Sequence, residues 1–192
     1  MEPEDFKKIF ANLSRICERQ LEEHLAKPGW SALKKGGSVW DKFEKIYNFR
    51  PSTRPEDWPG ISEPKPSRTF NIKFIYGPDF DRLTRELSAF YLTCFKNVTP
   101  KGQRINVLDW QHQCFTFDPH AGFEFETMGE WPITPLPNGD YYIFLTEDLL
   151  GGFFGHPWEQ SICVMGDAFI GQLANTPKEV FSDLIRVDGV SV

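Results

Sequence analysis

Beyond Arg104 the chain is a succession of short apolar runs joined mostly by links of hairpin length. Residues 104–110 and 113–118 read as two strands meeting near Gln111-His112. Tyr141–Thr146 is a continuous apolar run suited to a central strand, and Ser161–Met165 is a second buried one. Pro132, Pro135, Pro137 and Asn138-Gly139 mark a loop and a tight turn ahead of Tyr141. Parallel neighbours need a crossover of a dozen or more residues, usually a helix, and most of these links are too short for one. A mostly antiparallel sheet is the expectation.

The helical signals lie on either side of this block. Phe6, Ile9, Phe10, Leu13, Ile16, Cys17, Leu21 and Leu25 recur at helical spacing, so a helix is predicted over residues 3–26, ending before Pro28-Gly29. Lys34-Lys35-Gly36-Gly37 reads as a hinge. Ser38 starts a second helix with Val39, Trp40, Phe43, Ile46 and Tyr47 on one face. Five prolines between Pro51 and Pro66 exclude regular structure there and make an extended loop pinned by Trp58. Phe70, Ile72, Phe74 and Tyr76 alternate as in a strand. Asp79 caps a helix carrying Leu83, Leu87, Phe90, Tyr91, Cys94 and Val98, and Asp167 caps a short one to about Leu173. Thr176-Pro177-Lys178-Glu179 has the capping-box form and predicts a last helix to about Arg186. The expected class is α+β: one domain over residues 36–192 with helices packed on one face of the sheet, preceded by an N-terminal helix and hinge over residues 1–35.

Charge is uneven along the chain. No lysine or arginine occurs between Arg104 and Lys178, whereas ten carboxylates do. Residues 1–104 are net basic and residues 105–192 strongly acidic. The whole chain carries a formal charge of −6, which argues against nucleic acid as a partner, because phosphate contacts need a basic footprint. A cationic partner fits better. Four scattered cysteines, with no Cys-x-x-Cys pair, suit free thiols in a reducing cytosol. The N-terminus lacks the apolar core of a signal peptide, and no apolar stretch approaches the ~20 residues of a membrane span. The expected location is therefore the cytoplasm.

Three clusters set polar groups beside tryptophan: Asp109-Trp110-Gln111-His112, Asp118-Pro119-His120 and His156-Pro157-Trp158-Glu159. Imidazoles and carboxylates are the ligand types of a zinc, manganese or iron site. If the strands align, Asp109, His112, His120 and His156 are the candidate metal ligands, although their spacing matches no established motif. Cys114 near His112 and His120 offers a nucleophile and a base, with strand alternation placing Cys114, His112 and Trp110 on one face. Gly-x-Ser-x-Gly and Gly-x-x-x-x-Gly-Lys-[Ser/Thr] are both absent. Gly151-Gly152-Phe153-Phe154-Gly155 reads as a loop that runs into His156-Pro157-Trp158.

These same motifs carry a resemblance. Asp109-Trp110-Gln111-His112, Phe117-Asp118-Pro119-His120, Leu136 to Leu145, Phe154-Gly155-His156-Pro157-Trp158-Glu159 and Ile162-Cys163 resemble the bacterial domain-of-unknown-function family 2716. Trp40-Asp41, Phe49-Arg50-Pro51-Ser52 and Asp57-Trp58-Pro59 are similar too, so the likeness spans about residues 39–186. The resemblance implies an intact bacterial cytosolic domain and supplies no catalytic residue.

The expected function is a non-catalytic protein-binding module. Glu147, Asp148, Phe153, Phe154, Trp158 and Glu159 form its contact region for a basic protein, and neutralising a basic toxin in the manner of an immunity protein is one form of that activity. No cofactor is expected. The alternatives are a metal-dependent hydrolase built on the Asp/His clusters around Trp110 and Trp158, and a small-molecule sensor with an aromatic-lined pocket.

Overall fold

The computed structural model describes residue 19 and residues 21–33, 38–176 and 178–192. Nine strands form one sheet in the order β1-β4-β3-β5-β6-β7-β2-β8-β9. They are β1 (Trp30–Ala32), β2 (Ser67–Asn71), β3 (Ile105–Asp109), β4 (Phe115–Phe117), β5 (Tyr142–Leu145), β6 (Gly152–His156), β7 (Ser161–Met165), β8 (Asp183–Val187) and β9 (Val190–Ser191). Every pair is antiparallel. The helices whose full extent lies among the described residues are α1 (Ser38–Tyr47), α2 (Phe80–Val98) and α3 (Asp167–Gln172). The α+β class with an antiparallel sheet is as the sequence predicts.

Both faces of the sheet are covered, which is why its central strands read as continuous apolar runs rather than as alternating ones. On β5, Phe144 packs among the residues of α2, while Ile143 and Leu145 join Phe43 and Tyr47 of α1 on the other side. Strand β6 divides the same way. Phe153 stacks on Tyr91 of α2 with ring centroids 4.0 Å apart, and Phe154 meets Phe43, Phe49 and Tyr141. On α1, Phe43 and Tyr47 are buried as expected, but Ile46 is exposed.

Several expectations need correction. Of the helix predicted over residues 3–26, residue 19 and residues 21–25 are helical, and residues 1–18 and 20 lie outside the described residues. Within the segment expected as an N-terminal helix and hinge, strand β1 pairs with β4 in the sheet and Trp30 joins the core. The strand predicted from Phe70 to Tyr76 starts earlier, at Ser67, and stops at Asn71, whose side-chain oxygen accepts the Lys73 N–H and turns the chain into a 3-10 helix over Lys73–Tyr76. Asp79 precedes α2 without a side-chain cap and pairs with Arg82 instead. The last predicted helix is absent: residues 178–181 turn, and β8 then pairs with β2. The hydroxyl of Thr176 makes no capping bond among the described residues, because pairing with the open edge of β2 outweighs the local signal.

The expected loop at residues 151–155 is strand β6. Gly152 enters it at φ +146°, with its Cα so close to the Phe144 carbonyl that a Cβ would sit 1.9 Å from that oxygen. Only glycine fits such an approach. It starts the strand at the residue expected to interrupt it.

Candidate functional site

Two polar regions lie at opposite ends of β5. At its N-terminal end, Asp109 closes β3, Asp140 precedes β5, and His112 sits in the turn between β3 and β4. Asp109 Oδ1 accepts the N–H groups of Gln111 and His112, both at 3.2 Å, and lies 2.9 Å from His112 Nδ1. Asp140 Oδ1 accepts the Tyr141 N–H at 2.7 Å, while its Oδ2 lies 3.6 Å from His112 Nδ1. Both carboxylates are more than nine-tenths buried, whereas the His112 side chain is 69% exposed. Burial, reinforced by the charge of Asp109, pushes the Asp140 carboxyl above its ordinary value. One donor atom from each of Asp109, His112 and Asp140 falls within 4.8 Å of the others.

Of the four candidate metal ligands, only Asp109 and His112 come together. Nε2 of His120 bonds the Thr99 carbonyl at 2.8 Å, away from this cluster. His156 is fully buried among aromatic rings. Its Nδ1 accepts the Glu159 N–H, which leaves the proton on Nε2 facing the Tyr141 hydroxyl at 3.3 Å. That hydroxyl also accepts the Ser52 N–H and donates to the Ser52 carbonyl. The network ties the proline-rich loop to the sheet. Desolvation lowers the His156 pKa to about 4, with Glu159 opposing the shift and Arg186 adding to it. The expected imidazole convergence fails because β6 buries His156 and the loop after β4 carries His120 elsewhere.

Cys114 is not poised as a nucleophile. Residues 110–113 form a turn, so strand alternation does not hold there. The thiol is buried, accepts the Trp40 indole N–H at 3.2 Å and meets the Asp109 backbone, while Trp110 and His112 face outward.

At the other end of β5 a groove of about 890 Å³ opens between α1, residues 62–66, the turn from Thr146 to Gly151, and the start of α3. Glu147, Asp148 and Asp167 border it, together with exposed Leu150 and Ile46. Lys65 is the one cation among its described lining residues. Bonds from the Thr146 hydroxyl and the Leu150 N–H hold Asp148 below the ordinary carboxylate range, so it stays charged near neutrality. Glu63 also lines the groove, but its carboxylate is engaged by Arg186 and Thr69.

The expected contact region divides between the two ends of the sheet. Glu147 and Asp148 border the groove, whereas Trp158 packs on Tyr141 and Glu159 is bound to Arg186 and Ser161. Phe153 and Phe154, 0% and 2% exposed, are core residues on opposite faces and are closed to any partner. The five residues of β6 span roughly 13 Å and separate the halves of the set. Ile46, Leu150 and Asp167 take the place of the expected rings at the groove. Asp140 is the ligand-type residue that spacing alone did not single out, and its register beside Tyr142, the partner of Asp109, brings it in.

The fold and its two polar regions define an α+β sheet protein with an acidic groove at one end and a buried carboxylate pair at the other. The family model described as "Protein of unknown function (DUF2716)" matches residues 33–170, and the chain belongs to this family. It is 33% identical over 159 residues to "Uncharacterized protein YxiI" of Bacillus subtilis (strain 168), a match covering 79% of this chain and 96% of that protein. No solved structure matches. No helix among the described residues is long and apolar enough to cross a membrane.

Proposed function

We propose that this protein is a non-catalytic binding module that takes a basic segment of another protein into the groove at the end of β5. The observation that carries the reading is the groove's lining: Glu147, Asp148 and Asp167 against Lys65, with Leu150 and Ile46 uncovered between them. Carboxylates steer a cationic partner and speed its encounter, and the apolar side chains supply contact once it arrives. Covering the cationic cleft of a basic toxin, as an immunity protein does, is the form of this activity that the charge favours. A cytosolic location goes with it, since Cys94 and Cys163 are buried free thiols of the kind a reducing compartment preserves.

The test is a titration of the purified protein against the product of the adjacent gene, followed by gel filtration and calorimetry. The double variant Glu147→Lys/Asp167→Lys is expected to weaken binding about tenfold or more, and wild-type affinity should fall as salt rises. An affinity untouched by this charge reversal removes the groove from the reading.

A further inference from the structure

The cluster at the opposite end of β5 has a separate use. We propose that Asp109, His112 and Asp140 form a binding site for one divalent transition-metal cation, of the zinc or manganese class. This inference does not rest on the groove.

Three observations support it. The first is geometric. Metal–ligand distances of about 2.1 Å put neighbouring ligand atoms about 3.0 Å apart in an octahedron and about 3.4 Å apart in a tetrahedron. His112 Nδ1 lies 2.9 Å from Asp109 Oδ1 and 3.6 Å from Asp140 Oδ2, which brackets those edges. Two of the three edges thus match those around an ion, and one donor atom from each residue lies within 4.8 Å of the others.

The second is the state of the carboxylates. Side chains 9% and 6% exposed face one another, and neither makes an ion pair with a lysine or arginine among the described residues. Asp140 Oδ2 lies 3.6 Å from His112 Nδ1. Two buried carboxylates with oxygens within 4.8 Å of each other repel unless a proton or a cation lies between them. Elsewhere in the molecule the same problem is solved by an arginine: Glu63 and Glu159 both receive Arg186.

The third is the way the donors are held. Backbone N–H groups orient Asp109 Oδ1 and Asp140 Oδ1, so the carboxylates are set before any ligand arrives. The exposed His112 ring leaves the remaining coordination positions open to water. One imidazole with two carboxylates suits zinc or manganese better than calcium or magnesium, which prefer all-oxygen shells.

The experiment uses the full chain, stripped with chelator and titrated with Zn²⁺, Mn²⁺ and Mg²⁺ separately by calorimetry, with elemental analysis after dialysis. One Zn²⁺ or Mn²⁺ per chain is expected, weakened at least about tenfold by Asp140→Asn and by His112→Gln and unchanged by His120→Gln. Mn²⁺ added to the unmodified protein should also broaden the His112 ring resonances selectively and spare those of His120, a readout that needs no variant to fold. Absence of saturable Zn²⁺ and Mn²⁺ binding overturns the proposal. So does affinity unchanged in both ligand variants, or broadening centred on His120.

Discussion

Arg186 on β8 grips Glu159, in the turn between β6 and β7, with both terminal nitrogens: Nη1 to Oε1 at 2.6 Å and Nη2 to Oε2 at 2.8 Å. Its Nε bonds Glu63 at 2.8 Å, so one guanidinium joins the proline-rich loop, the central sheet and the C-terminal strand. The three side chains are 12%, 10% and 1% exposed. Burial disfavours the charged form of Glu159, yet bonds from Arg186 and Ser161 prevail and hold it below the ordinary carboxylate range. Arg186→Met leaves two buried carboxylates without a cation and should cost about 3–5 kcal/mol in urea unfolding. Arg186→Lys should recover only part of this loss, because an ammonium cannot make the fork.

Gly152→Ala should be far more damaging than Gly102→Ala. Both glycines have positive φ, but a Cβ at Gly102 meets nothing within 4 Å, whereas one at Gly152 runs into the backbone of the neighbouring strand. Thermal unfolding should fall by a few degrees for Gly102→Ala, reflecting about 1–2 kcal/mol of backbone strain. For Gly152→Ala the loss should exceed about 3 kcal/mol, through disruption of the β5–β6 ladder.

Acid should weaken the fold through His156. The folded state keeps this imidazole neutral down to about pH 4, while the unfolded chain protonates it at the ordinary value of 6.5. Its contribution is therefore complete above pH 6.5 and is lost as the pH falls from 6.5 towards 4, amounting to about 3 kcal/mol. Denaturant midpoints measured across that window should show the slope. His156→Asn, whose side-chain oxygen can accept the Glu159 N–H, should lower the plateau but flatten this part of the curve.

Phe153→Ala and Leu150→Ala should separate stability from binding. Phe153 is fully buried against Tyr91, Phe90, Phe95 and Phe169, so truncation should cost about 3–5 kcal/mol. Leu150 is 66% exposed at the groove, and its truncation should change stability by no more than about 0.5 kcal/mol. Under the binding proposal it should still weaken the partner complex measurably.

Much of the fold is legible along the chain because periodicity and turn chemistry are local. The amphipathic stripe of α2, the hairpin links after Arg104 and the proline-rich loop all follow from spacing and residue type. The errors fall where partners far along the chain decide. Thr176 to Glu179 carries a good helix-start signal, yet the edge of β2 makes residues 183–187 a strand. Gly151-Gly152 looks like a break until the approach of Gly152 to Phe144 shows why a strand must begin there. The candidate sites follow the same division. Asp109 and His112 are three residues apart and meet through a local turn. Asp140 joins them only through the pairing of β3 with β5.

By itself the sequence determined the class of the protein, the antiparallel character of its sheet and the acidic bias of its second half, because each depends on composition or on neighbours a few residues away. Only the tertiary structure decided which aromatic rings are sealed, which carboxylates reach the groove and which face one another across buried strand ends. Those outcomes depend on strand register and on which face of the sheet a side chain occupies, and a shift of a single residue would reverse them.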